Sequence, residues 1–500
     1  MSNPTRLRAF AALACTAALL PLGTAAQNHP EMGYVPAEGF SFAAQAAEMA
    51  PYTCNPATVG PNGRCASTAI PGSIASASAP QFLLVSFDDC ITPGSEKYVR
   101  KVFDGSLRNP DGRPVPLTYF VSLENCPATG DNVWETDGTL VKARYLAGDE
   151  MAVHTRTHQT SHTTPYATWV SEMTAVRTFF QTLGLGSDAG RGFRSPYLVN
   201  NPAQFQALKD LGFLYDSTVL ESPFWSPVSN EGLGKFTWPF TYDQYNKSAQ
   251  PQNCEDWWDE NGCPTTAIPG LWQIPLYYYI KGNENNATFL GAMDIGHVEY
   301  SGYEKTLSGN ALTNVLRQHI NARLSGNRAP LNLFFHPDGF NNNARVNTYK
   351  AFIAEQLRRG DVWAVTMQGL IEWMKAPVPN SQMKTWYAAY CTRHHCSAPA
   401  TSGNLEGDAP LVEAAAPATT VLSVYPNPAR EQATATVTTA TAGARLAVLD
   451  VLGREVFAET LGAEGQHRIA LDLNGRGAGV YLVRVTETGG RVAQQSLVLR

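Results

Sequence analysis

The sequence predicts an α/β fold, a distorted (β/α) barrel, followed by a small C-terminal β-sandwich. Between residues 81 and 397, short and continuous apolar runs alternate with helical stretches, which is the pattern of a parallel sheet. The length of this region favours a barrel, although periodicity alone leaves an open sheet as the alternative. After residue 420, short alternating segments separated by glycine-bearing turns predict the sandwich.

The predicted strands and helices of the first region follow one another in the order that parallel strands require. The strands are expected at 82–87, 116–121, 150–153, 331–335 and 362–365, and the helices near 168–183, 309–324, 345–359 and 367–375. Continuous apolar strands suit a sheet that is buried on both faces. We therefore expect helices on the outside of the sheet and a core on both of its sides.

The N-terminal segment has the layout of a cleavable signal peptide. Arg6 and Arg8 precede an apolar run over 9–22, and small residues follow at 23–26. This run is too short for a transmembrane helix, which needs about 20 apolar residues, and no later segment reaches that length. We expect residues 1–26 to direct export and to be removed, which leaves a mature chain with no transmembrane helix.

Two segments of biased composition flank the predicted barrel. Residues 27–80 are rich in Ala, Pro, Gly and Ser, carry Cys54 and Cys65, and are expected to form an irregular, disulfide-linked lead-in. Residues 398–418 have the composition of a linker. The sandwich at 419–500 has no cysteine and no acidic cluster with metal-ligand spacing, so we expect no chemistry there.

Composition excludes two classes of protein. The 44% hydrophobic content is that of a folded globular chain and excludes a disordered one. The formal net charge of −6, from 37 basic and 43 acidic side chains, offers no basic surface for nucleic acid.

The nine cysteines indicate a disulfide-bonded exported protein. Cys15 lies in the predicted signal peptide, so eight remain in the mature chain. Cys90 and Cys126 each follow a predicted strand, and neighbouring parallel strands would bring them together. The CTRHHC segment at 391–396 could mimic a metal site, but a disulfide is the better interpretation in an exported chain. The predicted pairs are Cys90–Cys126, Cys254–Cys263 and Cys391–Cys396.

Residues 221–280 interrupt the regular pattern with an aromatic-rich insertion. Long loops on a rigid scaffold often form binding surfaces, and aromatic rings stack well on sugars. The alternative is that most of these rings form the core of the insertion itself. The aromatic residues are Phe224, Trp225, Phe236, Trp238, Phe240, Tyr242, Tyr245, Trp257, Trp258, Trp272, Tyr277, Tyr278 and Tyr279.

Candidate metal ligands follow two of the predicted strands. Asp88 and Asp89 end the first strand, at the edge where α/β folds assemble active sites. His154 and His158 follow the 150–153 strand, and imidazoles at this spacing can converge on one metal ion. His162 repeats the spacing, so spacing alone leaves the choice of histidine pair open.

Further polar residues end other short apolar runs. Arg194 and Tyr197 lie in an RSPY segment, Asp216 ends the run 213–215, and His336 closes the apolar run 331–335. A histidine at the end of a buried strand is placed for acid–base chemistry. The structural alternative is an ordinary salt bridge or polar turn for Arg194 and Asp216, and a satisfied core histidine for His336.

Together these motifs resemble the five-motif pattern of the polysaccharide deacetylase family, which shares the NodB homology domain. The likeness extends over residues 54–391 and is greatest to the chitin-deacetylase branch typified by insect enzymes, although Ser86 stands where the family usually has Thr. The five motifs are the SFDD segment at 86–89, HTRTH at 154–158, RSPY at 194–197, Asp216 and LFFH at 333–336.

The resemblance implies a metal-dependent enzyme with the distorted barrel of this family. Asp89, His154 and His158 would hold Zn²⁺ or another divalent transition metal such as Co²⁺. The expected reaction removes N-acetyl groups from chitin-like polymers or oligomers of N-acetylglucosamine. Such an enzyme is a hydrolase of carbon–nitrogen bonds other than peptide bonds.

The resemblance also implies roles for the remaining motif residues. Asp88 would be the general base and His336 the general acid. The backbone N–H of Tyr197 would stabilise the oxyanion. Arg194 would position Asp88, and Asp216 would orient His336.

Two alternative functions stay open at this point. An O-acetyl esterase that acts on xylan or another acetylated glycan would depend less on protonation by His336, because an alkoxide leaves more easily than an amine. A non-catalytic surface protein could instead bind carbohydrate through the aromatic insertion.

The C-terminal residues resemble a second known element, the sorting domain of the type IX secretion system. The resemblance rests on SVYPNPA at 423–429, DVLGRE at 450–455 and the GVYLV segment at 479–483. It implies that the type IX machinery recognises residues 419–500 and moves the protein across the outer membrane. We therefore expect a secreted or cell-surface enzyme that works as a monomer on an acetylated polysaccharide or oligosaccharide.

Overall fold

The computed structural model divides the chain into two compact units, Met1–Thr401 and Ser402–Arg500, which are considered separately. The predicted signal peptide, the lead-in up to residue 58 and the linker from residue 400 lie outside the described residues and stay predictions. The residues that the structure describes are 59–60, 62–126, 133–221, 232–243, 264, 266–282, 287–297, 305–399, 421–425, 427, 429–439, 441–450, 454–488 and 492–500.

Among the described residues, a mixed sheet of nine strands forms the centre of the first unit, and two pairs of short strands accompany it. The strands, in chain order, are β1 (Gln81–Asp89), β2 (Thr118–Val121), β3 (Glu150–Val153), β4 (Gly192–Phe193), β5 (Tyr215–Asp216), β6 (Leu220–Glu221), β7 (Phe240–Tyr242), β8 (Ile268–Gln273), β9 (Leu276–Tyr277), β10 (Ile280–Lys281), β11 (Thr288–Phe289), β12 (Leu331–Phe335) and β13 (Val362–Ala364).

The order of strands in the large sheet is β12-β1-β2-β3-β4-β5-β8-β7, and β13 pairs with the start of β1. All of these pairs are parallel except β7 with β8. Among the described strands, β12 and β7 at the two ends do not pair with each other, so the curled sheet is an incomplete barrel. The predicted α/β fold of the distorted-barrel type is confirmed.

In the described residues, eight α-helices connect and cover these strands. They begin with favourable caps where the sequence supplies them; for example, the Asn342 side chain accepts hydrogen bonds from the N–H groups of Ala344 and Arg345. The helices are α1 (Pro93–Val99), α2 (Gly138–Leu146), α3 (Tyr166–Thr182), α4 (Pro202–Asp210), α5 (Gly309–Ser325), α6 (Asn343–Leu357), α7 (Met367–Lys375) and α8 (Met383–Cys391).

The large sheet is buried on both faces, as its continuous apolar strands predict. Along β1, Leu83, Val85 and Phe87 point into one hydrophobic cluster. The alternate residues Phe82 and Leu84 belong to a second cluster on the other face. Because successive side chains of a strand point to opposite faces, a strand between two cores is apolar at most positions.

The described part of the aromatic insertion is packed into the protein and does not form an exposed binding surface. It supplies β7 and β8 to the large sheet, and its eight described aromatic side chains are buried. These rings are core residues, as the alternative expected, but they join the two hydrophobic clusters of the whole unit and not a separate core of the insertion. The sugar-stacking interpretation fails for them. They are Phe236, Trp238, Phe240, Tyr242, Trp272, Tyr277, Tyr278 and Tyr279; the other five aromatic residues lie outside the described part.

Two of the three predicted disulfides are present. Cys90 is bonded to Cys126, and Cys391 is bonded to Cys396. The predicted Cys254–Cys263 pair lies outside the described residues. The bond at 391–396 confirms that this histidine-bearing segment is a disulfide loop.

His394, inside this disulfide loop, is held between two carboxylates. Its Nε2 donates to Glu372 over 2.6 Å, and its Nδ1 lies 3.7 Å from Asp188 Oδ2. Hydrogen bonds to Asp188 and Glu372 raise the pKa of His394 to about 9 from an ordinary value of 6.5. Because the folded pKa exceeds the unfolded one, this stabilisation is complete below pH 6.5 and is lost as the pH rises through 9.

The variant His394→Gln is therefore expected to have a pH-dependent effect on stability. At pH 6 it should lower the unfolding midpoint of the first unit by about 1–2 °C, after allowance for solvent screening. At pH 9.5 the difference from the wild-type chain should nearly vanish. Calorimetry of the full chain at both pH values measures this, with His395→Gln as the control because its ring contacts Tyr145 instead. An equal loss at both pH values would contradict the assignment.

The described strands of the second unit form two antiparallel sheets. Their strands are β14 (Val421–Tyr425), β15 (Gln432–Thr439), β16 (Ala444–Leu449), β17 (Glu455–Leu461), β18 (Gly465–Asp472), β19 (Gly479–Thr486) and β20 (Val492–Leu499). The sheet orders are β14-β15-β18 and β17-β16-β19-β20. Buried residues from both sheets, such as Val437, Ile469, Leu446 and Val483, share one core, so the predicted β-sandwich is confirmed.

No helix in the described part of the chain combines the length and the apolar character needed to span a membrane.

Candidate active site

The predicted site residues meet because parallel strands end at the same edge of the sheet. The register pairs Phe87 with Phe335, Val121 with Val153, and Val153 with Phe193. Each of these strands is followed at once by a polar residue or loop. The carboxyl edge of the sheet therefore carries Asp88, Asp89, His154, Arg194 and His336.

Three buried side chains at this edge form a candidate metal-binding group. Asp89, His154 and His158 each offer a ligand atom, and these atoms lie within 4.8 Å of one another. Asp89 Oδ1 is 2.9 Å from His158 Nε2 and 3.7 Å from His154 Nε2. Spacing had left His162 as an alternative, and the structure brings His158 into the group instead.

The backbone holds two of these residues in a left-handed conformation. The φ angle is 82° at Asp89 and 54° at His158, and neither residue is glycine. Such conformations cost about 1–3 kcal/mol each and concentrate at functional sites. The strain here turns two side chains from different strand ends toward one point.

The hydrogen bonds of His154 suit a metal ligand. Its Nδ1 donates to the backbone carbonyl of Arg194 over 2.8 Å, which places the proton on Nδ1 and directs the Nε2 lone pair at Asp89. Burial raises the pKa of Asp89, but the adjacent imidazoles, chiefly that of His158, outweigh burial and lower it. A buried, ionised carboxylate with two converging imidazoles is a donor set that fits a divalent transition metal.

Asp88 lies beside this group and is paired with Arg194. Arg194 Nη1 donates to Asp88 Oδ1 over 2.6 Å and to Ser86 Oγ over 3.0 Å. The guanidinium is fully buried between the rings of Phe120 and Phe334, 4.0 and 4.5 Å from their centroids. Burial raises the pKa of Asp88 to about 6, although the charge of Arg194 opposes this rise.

His336 is held by a carboxylate that the sequence did not indicate. Its Nδ1 donates to Asp294 Oδ2 over 2.6 Å, and its backbone N–H donates to Asp294 Oδ1 over 3.0 Å. Both residues are buried. Asp294 follows no predicted strand and belongs to no motif noted in the sequence, so no local pattern could have identified it.

The prediction that Asp216 orients His336 is wrong, because the carboxyl group of Asp216 bonds Thr218 and Gln204 instead. Its Oδ1 accepts a hydrogen bond from Thr218 Oγ1 over 2.7 Å and one from Gln204 Nε2 over 3.3 Å. Its Oδ2 accepts from the Thr218 backbone N–H. Burial raises the pKa of Asp216 to about 7, which is consistent with a carboxyl group that caps a turn in the core.

Tyr197 lies at the wall of the same site. It occupies a tight turn, Pro196–Leu198, with a φ angle of 57°, and its ring meets the ring of His158 edge-on at 4.8 Å. The turn directly follows Arg194 and Ser195, so it belongs to the same loop as Arg194, whose guanidinium binds Asp88. Its predicted role as an oxyanion donor stays a prediction.

Comparison with known proteins gives relatives for each unit. Residues 423–500 match the family model described as "Secretion system C-terminal sorting domain". Chitin deacetylase 1 of Bombyx mori is 27% identical over 64% of this chain. The match covers 55% of the length of that relative, so the chain spans about half of it. Chitin deacetylase 8 of Bombyx mori is 28% identical over 69% of this chain and 84% of that protein.

Among solved structures, a putative polysaccharide deacetylase from Mycobacterium smegmatis is similar over 69% of this chain and all of that one. The identity is 17% and the TM-score is 0.36. Part of this chain is thus similar in sequence to chitin deacetylases of Bombyx mori, and its residues 423–500 match a secretion-system sorting domain.

Proposed function

We propose that this chain is a metal-dependent deacetylase that hydrolyses N-acetyl groups of N-acetylglucosamine polymers or oligomers. The observation that carries the proposal is the convergence of Asp89, His154 and His158 beside the Asp88–Arg194 pair. The names of the relatives, chitin deacetylases, point to the same substrate class.

The metal would be held by Asp89, His154 and His158. Three protein ligands leave coordination positions open, which is typical of a catalytic zinc site, and Co²⁺ would also suit the donor set. A bound divalent cation supplies Lewis acidity and activates water for attack.

Asp88 would accept the proton of the attacking water. Its Oδ2 lies 3.9 Å from His154 Nε2, so it borders the candidate metal site, while Arg194 holds Oδ1. A carboxylate with one oxygen fixed by a buried guanidinium has its other oxygen directed into the site. General base catalysis by a positioned group contributes about 10²–10⁴-fold.

His336 would donate a proton to the departing amine. Because Asp294 binds Nδ1, the proton available for transfer is on Nε2, and the Asp294 carboxylate stabilises the protonated ring. An unprotonated amine is a poor leaving group, so N-acetyl substrates need this donor. The backbone N–H of Tyr197 would stabilise the oxyanion that forms before the amine leaves.

A panel of acetylated glycans tests the proposed reaction. The full chain is incubated with N-acetylglucosamine oligomers, acetylated xylan and peptidoglycan glycan, and the released acetate is measured. We expect release from the oligomers. Release from xylan alone would establish the O-acetyl esterase instead, and binding without release from any substrate would establish a carbohydrate-binding protein.

We also propose how the enzyme reaches its substrate. The type IX machinery would recognise residues 419–500 after export directed by residues 1–26, and would deliver a monomer to the cell surface or the medium. The family match over 423–500 supports this route. Deletion of residues 419–500 should leave the protein inside the outer membrane of a type IX-competent host; normal secretion of the truncated chain would contradict the proposal.

A further inference from the structure

Trp134 is the most exposed aromatic side chain in the described part of the chain, with 56% of its surface accessible. The other described tryptophans, apart from the half-buried Trp386, are buried: Trp169, Trp238, Trp272, Trp363 and Trp373. Scattered exposed apolar residues are common, so exposure alone indicates nothing. What distinguishes Trp134 is the way in which its backbone is attached to the active-site edge.

Contacts of Trp134 itself and of the two residues after it hold this segment in place. The Trp134 carbonyl oxygen lies 3.7 Å from Cys90 Sγ, one residue beyond the candidate ligand Asp89. Glu135 forms an antiparallel bridge with Glu124, and the Thr136 N–H donates to the Leu123 carbonyl over 2.9 Å. The indole is therefore exposed on a backbone that is held in place.

The residues that this segment contacts, Leu123 and Glu124, are in turn hydrogen-bonded to the loop that carries both candidate histidine ligands. The N–H groups of Leu123 and Glu124 both donate to the carbonyl of Arg156, which lies between His154 and His158. Ser122 Oγ donates to the His154 carbonyl over 2.6 Å. The Cys90–Cys126 disulfide closes the connection between the first and second strand ends.

We propose that Trp134 is a sugar-binding platform on which the substrate glycan stacks one of its rings, away from the ring whose acetyl group reacts. The apolar face of a pyranose matches the indole face, and Trp offers a large contact area at a small entropic cost. A fixed platform beside the site would keep the bound glycan aligned with the catalytic residues. The inference rests on the proposed function and specifies how that site binds a polymer.

The test compares Trp134→Ala with Trp134→Phe across N-acetylglucosamine oligomers of increasing length. We expect the KM of Trp134→Ala to rise about five- to tenfold for the longest oligomers. The increase in KM should grow with the length of the oligomer. Phe should restore most of the affinity because it keeps an aromatic face. Trp134→Leu, which keeps apolar bulk without that face, should behave like Ala. Val133→Ala, also exposed at 39%, is the matched control and should retain wild-type kinetics.

An equal change in KM at every oligomer length, or a fall in kcat with KM unchanged, would overturn the inference. Binding of the same oligomers to Asp88→Asn, with and without Trp134→Ala, is then measured by calorimetry. Weaker binding in the double variant supports the platform even if no substrate in the panel is deacetylated. Unchanged binding, together with acetate release by the wild-type chain, removes the platform and leaves the proposed function standing.

Discussion

The variant Asp88→Asn is expected to lower kcat for acetate release by about 10²–10⁴-fold, because it removes the group that accepts the proton of water. Asn has nearly the same shape as Asp, so the candidate metal ligands Asp89, His154 and His158 should keep their places. Metal content and substrate affinity are therefore expected to change little. Steady-state kinetics, combined with metal analysis of the purified chain, separates this loss from a loss of the metal.

Asp149→Asn is the matched control for Asp88→Asn. Asp149 is also buried and also lies near an arginine, Arg144, at 3.6 Å. It precedes β3, however, and so lies at the opposite edge of the sheet from His154. We expect activity within about twofold of wild type for this variant. Wild-type acetate release by Asp88→Asn would remove Asp88 from the mechanism.

The second large effect is expected for Asp294→Asn, with a loss of kcat of about 10³–10⁴-fold. An amide carries no charge, so it cannot stabilise a protonated His336. Its NH₂ group can also donate to Nδ1, and a ring that accepts this hydrogen bond is neutral and is a poor proton donor. The loss should be greater on N-acetyl substrates than on an activated ester, whose leaving group needs no proton. The alkaline arm of the pH–rate profile, recorded on both substrates, should also change for the N-acetyl substrate, because a general acid acts only while it holds its proton.

Asp216→Asn is the control for Asp294→Asn. Asp216 ends β5 at the same sheet edge and is equally buried, but its carboxyl group bonds Thr218 and Gln204. We expect a loss of stability and a reduction in kcat of less than about tenfold. A larger reduction in kcat for Asp216→Asn than for Asp294→Asn would contradict the observed pairing of His336 with Asp294.

The sequence was sufficient for those elements whose patterns are local and continuous. The bounds of β3 and β12, Glu150–Val153 and Leu331–Phe335, agree with the prediction because each strand is a short, mainly apolar run that a histidine follows at once. The strand β8 was missed because Pro269 and Gly270 interrupt it, and both residues weaken a strand pattern. Its antiparallel pairing with β7 is irregular at Thr241 and Tyr242, which further obscures the alternation.

The candidate site was predictable where its residues directly follow a strand. His154 follows β3 and His336 follows β12, so the topology alone brings them to one edge. Asp294 could not be found in this way, because it lies 42 residues from His336 in a stretch without a strand pattern. The choice of His158 over His162 depends on a left-handed backbone conformation, which spacing does not encode.

The central claim is that a metal held by Asp89, His154 and His158 is needed for deacetylation, and removal of the metal tests it most directly. Acetate release from N-acetylglucosamine oligomers is measured before chelation, after chelation and after the return of Zn²⁺ or Co²⁺, with metal content determined at each stage. Activity should disappear with the metal and return with it. Unchanged acetate release from a chain shown to contain no metal would contradict the account.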